Sequence, residues 1–211
     1  MPLTVLQHPL VDHWMTRLRD KRTEPAQFRV MCKRLTWFLL IEATRDLPVE
    51  VVRIDTPLEP FEGNILASDI VVVPILRAGL GMLEAVTDML PHVSVGYVGL
   101  ERDHTTAEAR TYYCKLPPVA DRTVLVVDPM LATGGSAEIA VDLLQREGAT
   151  DVRLLAMVAA PEGVKRLQAR FPELPVYTSA LDRELNGQKY IIPGLGDFGD
   201  RLYGTGVAAR E

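Results

Sequence analysis

The sequence predicts an α/β protein with a mostly parallel sheet flanked by helices. Three observations carry this. Apolar runs alternate with helical segments through the middle of the chain, and such alternation needs crossovers between parallel strands. Ile70–Leu76 is an unbroken apolar run with three valines, the pattern of a strand covered on both faces. Punctuation falls where such units need it, with Gly148 closing one helix and Pro161 opening the next.

The elements follow in order. A short helix is expected over Pro9–Arg19. A longer one follows, with Thr23 as its cap, Pro25 in its first turn and a stripe of Phe28, Met31, Cys32, Leu35 and Leu39. Pro48 ends this helical part. Strands are expected over Val49–Ile54, Ile70–Leu76, Val93–Leu100, Val124–Val127, Val152–Val158 and Val176–Ser179. Helices are expected over Gly79–Leu90, Ser136–Glu147 and Pro161–Arg170. The polar stretch Arg102–Leu116 reads as an extended arm or hairpin, with Tyr112 and Tyr113 packed as strand aromatics. Ligands on such sheets sit beyond the carboxyl ends of the strands. The loops after Leu76, Val127 and Val158 are therefore the ones to inspect.

At 211 residues the chain is expected to form one domain, 1–211, with an N-terminal helical segment (1–47), an arm (101–117) and a C-terminal segment (180–211). With 24% charged residues and 47% from the AVILMFWYC set, disorder is excluded as the main state. The net charge of −5 argues against a duplex-binding protein, and leaves room for a small phosphorylated ligand held by a few local cations. Cys32 and Cys114 make no metal pattern, and Cys32 is expected to be a buried or half-buried thiol. The first residues lack a basic start followed by a long apolar run, and no apolar stretch approaches the ~20 residues of a membrane span. A cytoplasmic setting is expected.

The most informative stretch runs from Val124 to Ala137. An apolar strand ends in Asp128, and a Gly134–Gly135 turn flanked by Thr133 and Ser136 feeds a helix. This suits a phosphate monoester: glycine admits backbone amides to the anion, and a helix start offers unpaired N–H groups and a positive dipole end. Asp128 is spaced to accept hydrogen bonds from sugar hydroxyls. A plain strand-to-helix turn, with Asp128 as a local cap, is the other reading. The stretch is no Walker loop, because it has no lysine and its glycines are too close together.

Gly194-Leu-Gly-Asp-Phe-Gly199 matches G-x-G-x-x-G. The dinucleotide reading fails, because that fingerprint opens a βαβ unit with an acid ~20 residues further on, and too little chain follows. An irregular loop exposing backbone groups to a flat ligand is the better account. Arg77 and Gly79, after the buried-looking strand, suit a diphosphate. His8 and His13 lack the i, i+4 spacing of a zinc helix and read as packing or interface residues.

Asp128-Pro-Met-Leu-Ala-Thr-Gly-Gly-Ser136 resembles the ribose-phosphate loop of the type I phosphoribosyltransferases, in the Asp-Pro form typical of the uracil phosphoribosyltransferase family. Tyr190–Thr205 resembles that family's uracil-binding segment nearly position for position. The text around His8–His13, Glu42–Pro48, Pro74–Leu80 and Glu101–Pro117 is also similar, apart from Ile41 and the atypical His104–Arg110.

The resemblance implies a pentosyltransferase that joins uracil to 5-phospho-α-D-ribose 1-diphosphate (PRPP), giving UMP and diphosphate. It implies that Thr133, Gly134, Gly135 and Ser136 anchor the phosphate, with Pro129, Met130, Leu131 and Ala132 completing the loop. Asp128 would hold the ribose hydroxyls, and Arg77 and Arg102 would meet the diphosphate. Ile191, Gly196, Asp197 and Phe198 would border the base, with Phe198 standing where many bacterial members have alanine. Asp197 would also face the donor and its metal. The resemblance further implies Mg2+ bound chiefly through PRPP with no protein cage, a homodimer or larger homo-oligomer, and in some members activation by GTP. Two other readings are weaker: an RNA-binding regulator, which wants a basic face, and a nicotinamide-dependent oxidoreductase, which rests on G-x-G-x-x-G alone.

Overall fold

A computed structural model describes residues 2–102 and 109–205. The centre of the expected arm, residues 103–108, lies outside them. The elements are β1 (Leu3–Val5), α1 (Pro9–Arg19), α2 (Pro25–Ala43), β2 (Val49–Asp55), β3 (Pro60–Leu66), β4 (Ile70–Leu76), α3 (Leu80–Met89), β5 (Ser94–Val95), β6 (Tyr97–Arg102) and β7 (Ala109–Lys115). They continue with β8 (Thr123–Val127), β9 (Met130–Leu131), α4 (Gly135–Arg146), β10 (Asp151–Ala159), α5 (Pro161–Arg170), β11 (Val176–Leu181), β12 (Glu184–Leu185), β13 (Ile191–Ile192) and α6 (Phe198–Tyr203).

The main sheet runs β1-β11-β10-β8-β4-β6-β7, with β5 beside β4 and β9 beside β10. All its pairings are parallel except β6 with β7. Side chains alternate across β4, β8 and β10, and both faces are buried. Val72, Leu125, Val127, Leu155 and Met157 join a core with Phe28, Leu35 and Met82 from α2 and α3. Val71, Val73, Val124, Val126, Leu154 and Ala156 join a second core with Val141 and Leu144 of α4 and Leu167 of α5. Each buried Val, Leu or Phe contributes about 1.5–3 kcal/mol. Cores on both faces fix the sheet's register and hold its carboxyl edge, where the inspected loops emerge.

Several expectations are corrected. The strand Val49–Asp55 lies outside the main sheet; it pairs antiparallel with β3 as a separate hairpin, which the sequence reading left undivided. All of its strand residues are exposed except Val52 and Gly63, which are half-buried. The residue capping α2 is Glu24 rather than Thr23, because the Thr23 hydroxyl donates instead to the carbonyl of Arg17 at 2.6 Å. Tyr112 and Tyr113 stand on β7 as expected but are exposed, in an antiparallel edge strand. His8 caps α1, its Nδ1 accepting from the Leu10 N–H at 3.0 Å, and its ring lies 5.0 Å from that of Phe38. Cys32 is fully buried, and burial pushes its thiol far above the ordinary range.

Candidate active site

The β8–α4 connection is built on backbone. The carbonyl of Pro129 accepts from the N–H groups of Met157 and Val158, each at 3.1 Å, and the carbonyl of Leu131 accepts from Ala160 at 2.9 Å. These bonds stitch the loop to the end of β10. Gly134 follows with φ +79°, and a Cβ there would lie 2.9 Å from the carbonyl oxygen of Gly163 in α5. A Cβ on Gly163 would in turn meet the carbonyl oxygen of Ala132 at 2.5 Å. Helix and loop therefore touch backbone to backbone, which only glycine at both places permits. No side chain caps α4, so its first N–H groups stay available to an anion. They face a small cleft of about 40 Å³ bordered by Asp128, Met130 and the Leu131–Ala137 segment.

Asp128 is half-buried at the end of β8, and its Oδ1 accepts only a long bond, 3.4 Å, from the Met130 N–H. Burial pushes its carboxyl up to about 7, against the lowering effect of that bond. No cation among the described residues pairs with it. Its hydrogen-bonding capacity is therefore largely unused within the protein, at the edge of a cleft.

Arg77 follows β4 after a cis Leu76–Arg77 peptide and is exposed. With Ala78, Leu80, Asp197, Tyr203 and Thr205 it borders a cleft of about 630 Å³. A neighbouring cavity of about 280 Å³ is lined by Ala132, Gln188, Lys189, Tyr190, Ile191 and Gly196. Asp197 and Phe198 line both of these spaces, and Met130 borders all three. One Asp197 oxygen caps α6 by accepting from the Asp200 N–H at 2.9 Å; the other makes no hydrogen bond among the described residues.

The structure thus brings together the loop Asp128–Ser136, Arg77 and the segment Ile191–Phe198. Pro129 is buried and lines none of these spaces. Phe198 borders the cavity, but its ring is turned inward: the residue is 3% exposed and stacks edge-on against Phe28 at 5.2 Å. The ring fills core rather than pocket. Arg102 ends β6, beside β4 in the sheet, and its side chain lies outside the described residues, as does the expected His104–Arg110 text in large part. The strand preceding the G-x-G-x-x-G string is the two-residue β13, antiparallel to β12, and the helix after it has six residues. That geometry is no βαβ unit, in line with the rejected dinucleotide reading.

Gln188, Lys189, Tyr190 and Tyr203 were not singled out as lining residues. Asn186-Gly187 was a legible turn signal, and the Asn186 side chain indeed pins that turn by accepting from the N–H groups of Gln188 at 3.0 Å and Tyr190 at 2.9 Å.

The metal implied by the resemblance meets a suitable donor set. No cluster of three or more His, Cys, Asp or Glu occurs among the described residues; single hard carboxylates border the neighbouring spaces instead, Asp128 the smallest and Asp197 the two larger ones. Mg2+ held mainly by ligand phosphates needs no more.

A parallel sheet with helices on both faces, an uncapped helix start beyond a strand-end carboxylate, and a C-terminal segment closing the cleft define a type I phosphoribosyltransferase fold. A hypoxanthine phosphoribosyltransferase from Staphylococcus aureus shares that fold at a TM-score of 0.52 and 16% identity, over 73% of this chain and 74% of its own. The family model described as uracil phosphoribosyltransferase matches residues 5–205, and the chain belongs to that family. Uracil phosphoribosyltransferases of Roseiflexus castenholzii and Thermus thermophilus are 52% and 46% identical, covering 96% and 97% of this chain and 98% and 100% of theirs. The AQ2163 protein from Aquifex aeolicus superposes at a TM-score of 0.93 with 38% identity, over 98% of this chain and 100% of that one.

Proposed function

We propose that the protein transfers the 5-phosphoribosyl group from PRPP to uracil, releasing UMP and diphosphate. The observation carrying this is the convergence of three spaces on Met130: a phosphate-sized cleft at the α4 start, a larger cleft with Arg77, and a flat-ligand cavity under Gly196. Family membership supports the same reading.

In this reading the α4 N–H groups, Thr133 and Ser136 hold the 5′-phosphate. Asp128 accepts from the ribose hydroxyls, and the hydrogen bonds it lacks in the free protein are then supplied by the ligand. The backbone of Gly196–Asp197 orients uracil so that N1 faces the anomeric carbon. The C1–O bond to diphosphate breaks as the N1–C1 bond forms, the leaving group takes the electron pair, and the N1 proton passes to water. Positive charge builds on the ribose in between, and the site acts by positioning and electrostatics. Arg77 and Arg102 offset the diphosphate charge. Asp197 would help to hold a Mg2+ ion bound through the diphosphate, and the ion would supply further neutralisation of the leaving group.

The reading also includes a homo-oligomer, supported by the exposed apolar residues Val51, Ile54 and Phe61 on the β2–β3 hairpin, and a cytoplasmic setting. No helix among the described residues is long and apolar enough to cross a membrane. Activation by GTP rests on the resemblance alone and is read by adding GTP to the assay. The test is incubation with labelled uracil, PRPP and Mg2+. UMP is the expected product, with cytosine and hypoxanthine left unconverted. No UMP, or equal turnover of hypoxanthine, overturns the reading.

A further inference from the structure

We propose that Arg19 and Asp182 are positioning residues for base recognition, holding both backbone groups of Gly194 so that Gly196 and Asp197 face the base-side cavity. The inference rests on the phosphoribosyltransferase reading and extends it to residues outside the site itself.

Asp182 follows β11, and its side chain is 5% exposed. Its Oδ1 accepts from Arg19 Nη2 at 2.6 Å, and its Oδ2 accepts from Arg19 Nη1 at 2.8 Å and from the Gly194 N–H at 2.8 Å. Arg19 Nη1 also donates to the Gly194 carbonyl at 2.7 Å. One fork–fork ion pair therefore grips the N–H and the C=O of a single residue. Gly194 has φ +57°, and a Cβ on it would lie 2.1 Å from the carbonyl oxygen of Ile191. No other residue type fits there.

The following carbonyl is held as well. Arg201 Nη1 donates to Leu195 O at 2.9 Å and to Leu18 O at 2.7 Å, while its Nη2 donates to Asp20 O at 2.6 Å. Two consecutive carbonyls, those of Gly194 and Leu195, are thus fixed inward by arginines. Gly194 and Leu195 are buried, whereas Gly196 and Asp197 are exposed and line the cavity. The segment has almost no strand or helix ladder of its own, so these bonds replace the order a ladder would give. Recognition by backbone groups depends on such order, because a loop that must be fixed on binding gives up affinity. Asp182 is buried and Arg19 half-buried, so removing the arginine leaves a carboxylate unmatched in the interior.

The test is the steady-state kinetics of Asp182→Asn and Arg19→Lys, with each substrate varied in turn. Both variants should raise KM for uracil tenfold or more, with KM for PRPP within twofold and kcat within threefold. Hydrogen exchange of the amides from Gly194 to Phe198 should quicken in both. Asp46→Asn serves as control, because it breaks a pair with the buried Arg153 near the start of β10, at the opposite end of the strands. It should leave both KM values unchanged. An unchanged uracil KM in an active Asp182→Asn enzyme overturns the proposal, as does a parallel rise in both KM values or the same effect in Asp46→Asn. If Asp182→Asn does not fold, Arg19→Lys, which keeps a cation against Asp182, decides by the same criteria. A wild type that makes no UMP sinks the parent reading and this one together, whereas an active wild type with indifferent variants sinks this one alone.

Discussion

Replacing Asp128 by Asn should stabilise the free protein while removing its activity. The folded protein raises the Asp128 carboxyl from 3.8 to about 7 by burial. Between those values the native state keeps a proton that the unfolded chain has released. Folding stability therefore falls as pH climbs from about 4 to about 7 and is level above that. At 1.36 kcal/mol per pKa unit the full penalty above pH 7 is about 4 kcal/mol. Access of water from the cleft reduces it to about 2 kcal/mol, since a solvated carboxylate recovers part of its hydration. Asparagine has the same shape and no charge, so it escapes the penalty. A chain of this size shifts its Tm by about 2–4 °C per kcal/mol, which gives a gain of about 4–8 °C at pH 8. The assay is thermal unfolding of both proteins without ligands at pH 8 and pH 5. For a penalty of about 2 kcal/mol, at pH 5 the gain should shrink by about a third. An equal or lower Tm for Asp128→Asn at pH 8, or the same gain at both pH values, would refute the argument. Turnover of uracil should fall at least a hundredfold, because the ribose hydroxyls lose their acceptor.

Three further outcomes are expected. Gly134→Ala forces an L-residue into φ +79° with its Cβ 2.9 Å from a backbone oxygen; it should lower stability by about 2–4 kcal/mol by chemical denaturation and also weaken PRPP binding. On sequence alone, a larger residue at Gly134 is expected to weaken donor binding before stability, and the contact with Gly163 reverses that order. Arg77→Ala, at an exposed residue, should keep the unfolding midpoint within about 0.5 kcal/mol of wild type while raising KM for PRPP at least tenfold, as measured by initial rates. A chromogenic thiol reagent should titrate one thiol, Cys114, in the native protein and both after denaturation, because Cys32 is fully buried and Cys114 is exposed.

The main sheet was legible because its central strands are apolar, valine-rich runs that alternate with helical segments. Ile70–Leu76 and Pro161–Arg170 coincide with β4 and α5 to the residue. The Asp128–Ser136 loop was legible for a local reason: one strand end, one glycine turn and one helix start specify it without help from afar. The hairpin partner β3 was missed because Pro60, Glu62, Gly63 and Asn64 break up its apolar pattern. The resemblance put Phe198 beside the base, and the residue does border both cavities, but the packing of its ring against Phe28, far upstream, was not legible in the sequence. The roles of Arg19, Asp182 and Arg201 could not be read at all. Each holds a partner more than 160 residues away, and an arginine at a helix end carries no sign of which distant carbonyl it will meet.

The pairing of β1 with β11, and of α1 with the segment after β13, has a consequence for the order in which the molecule is made. Residues 3–5 and Arg19 leave the ribosome early, yet their partners at 176–178, 182 and 194 come last. For most of its synthesis the nascent chain carries an open sheet edge and an unmatched guanidinium. The Gly194–Asp197 side of the cleft is therefore complete only when these distant segments meet, and a chain stopped short of Gly194 would hold the Asp128–Ser136 loop with nothing opposite it.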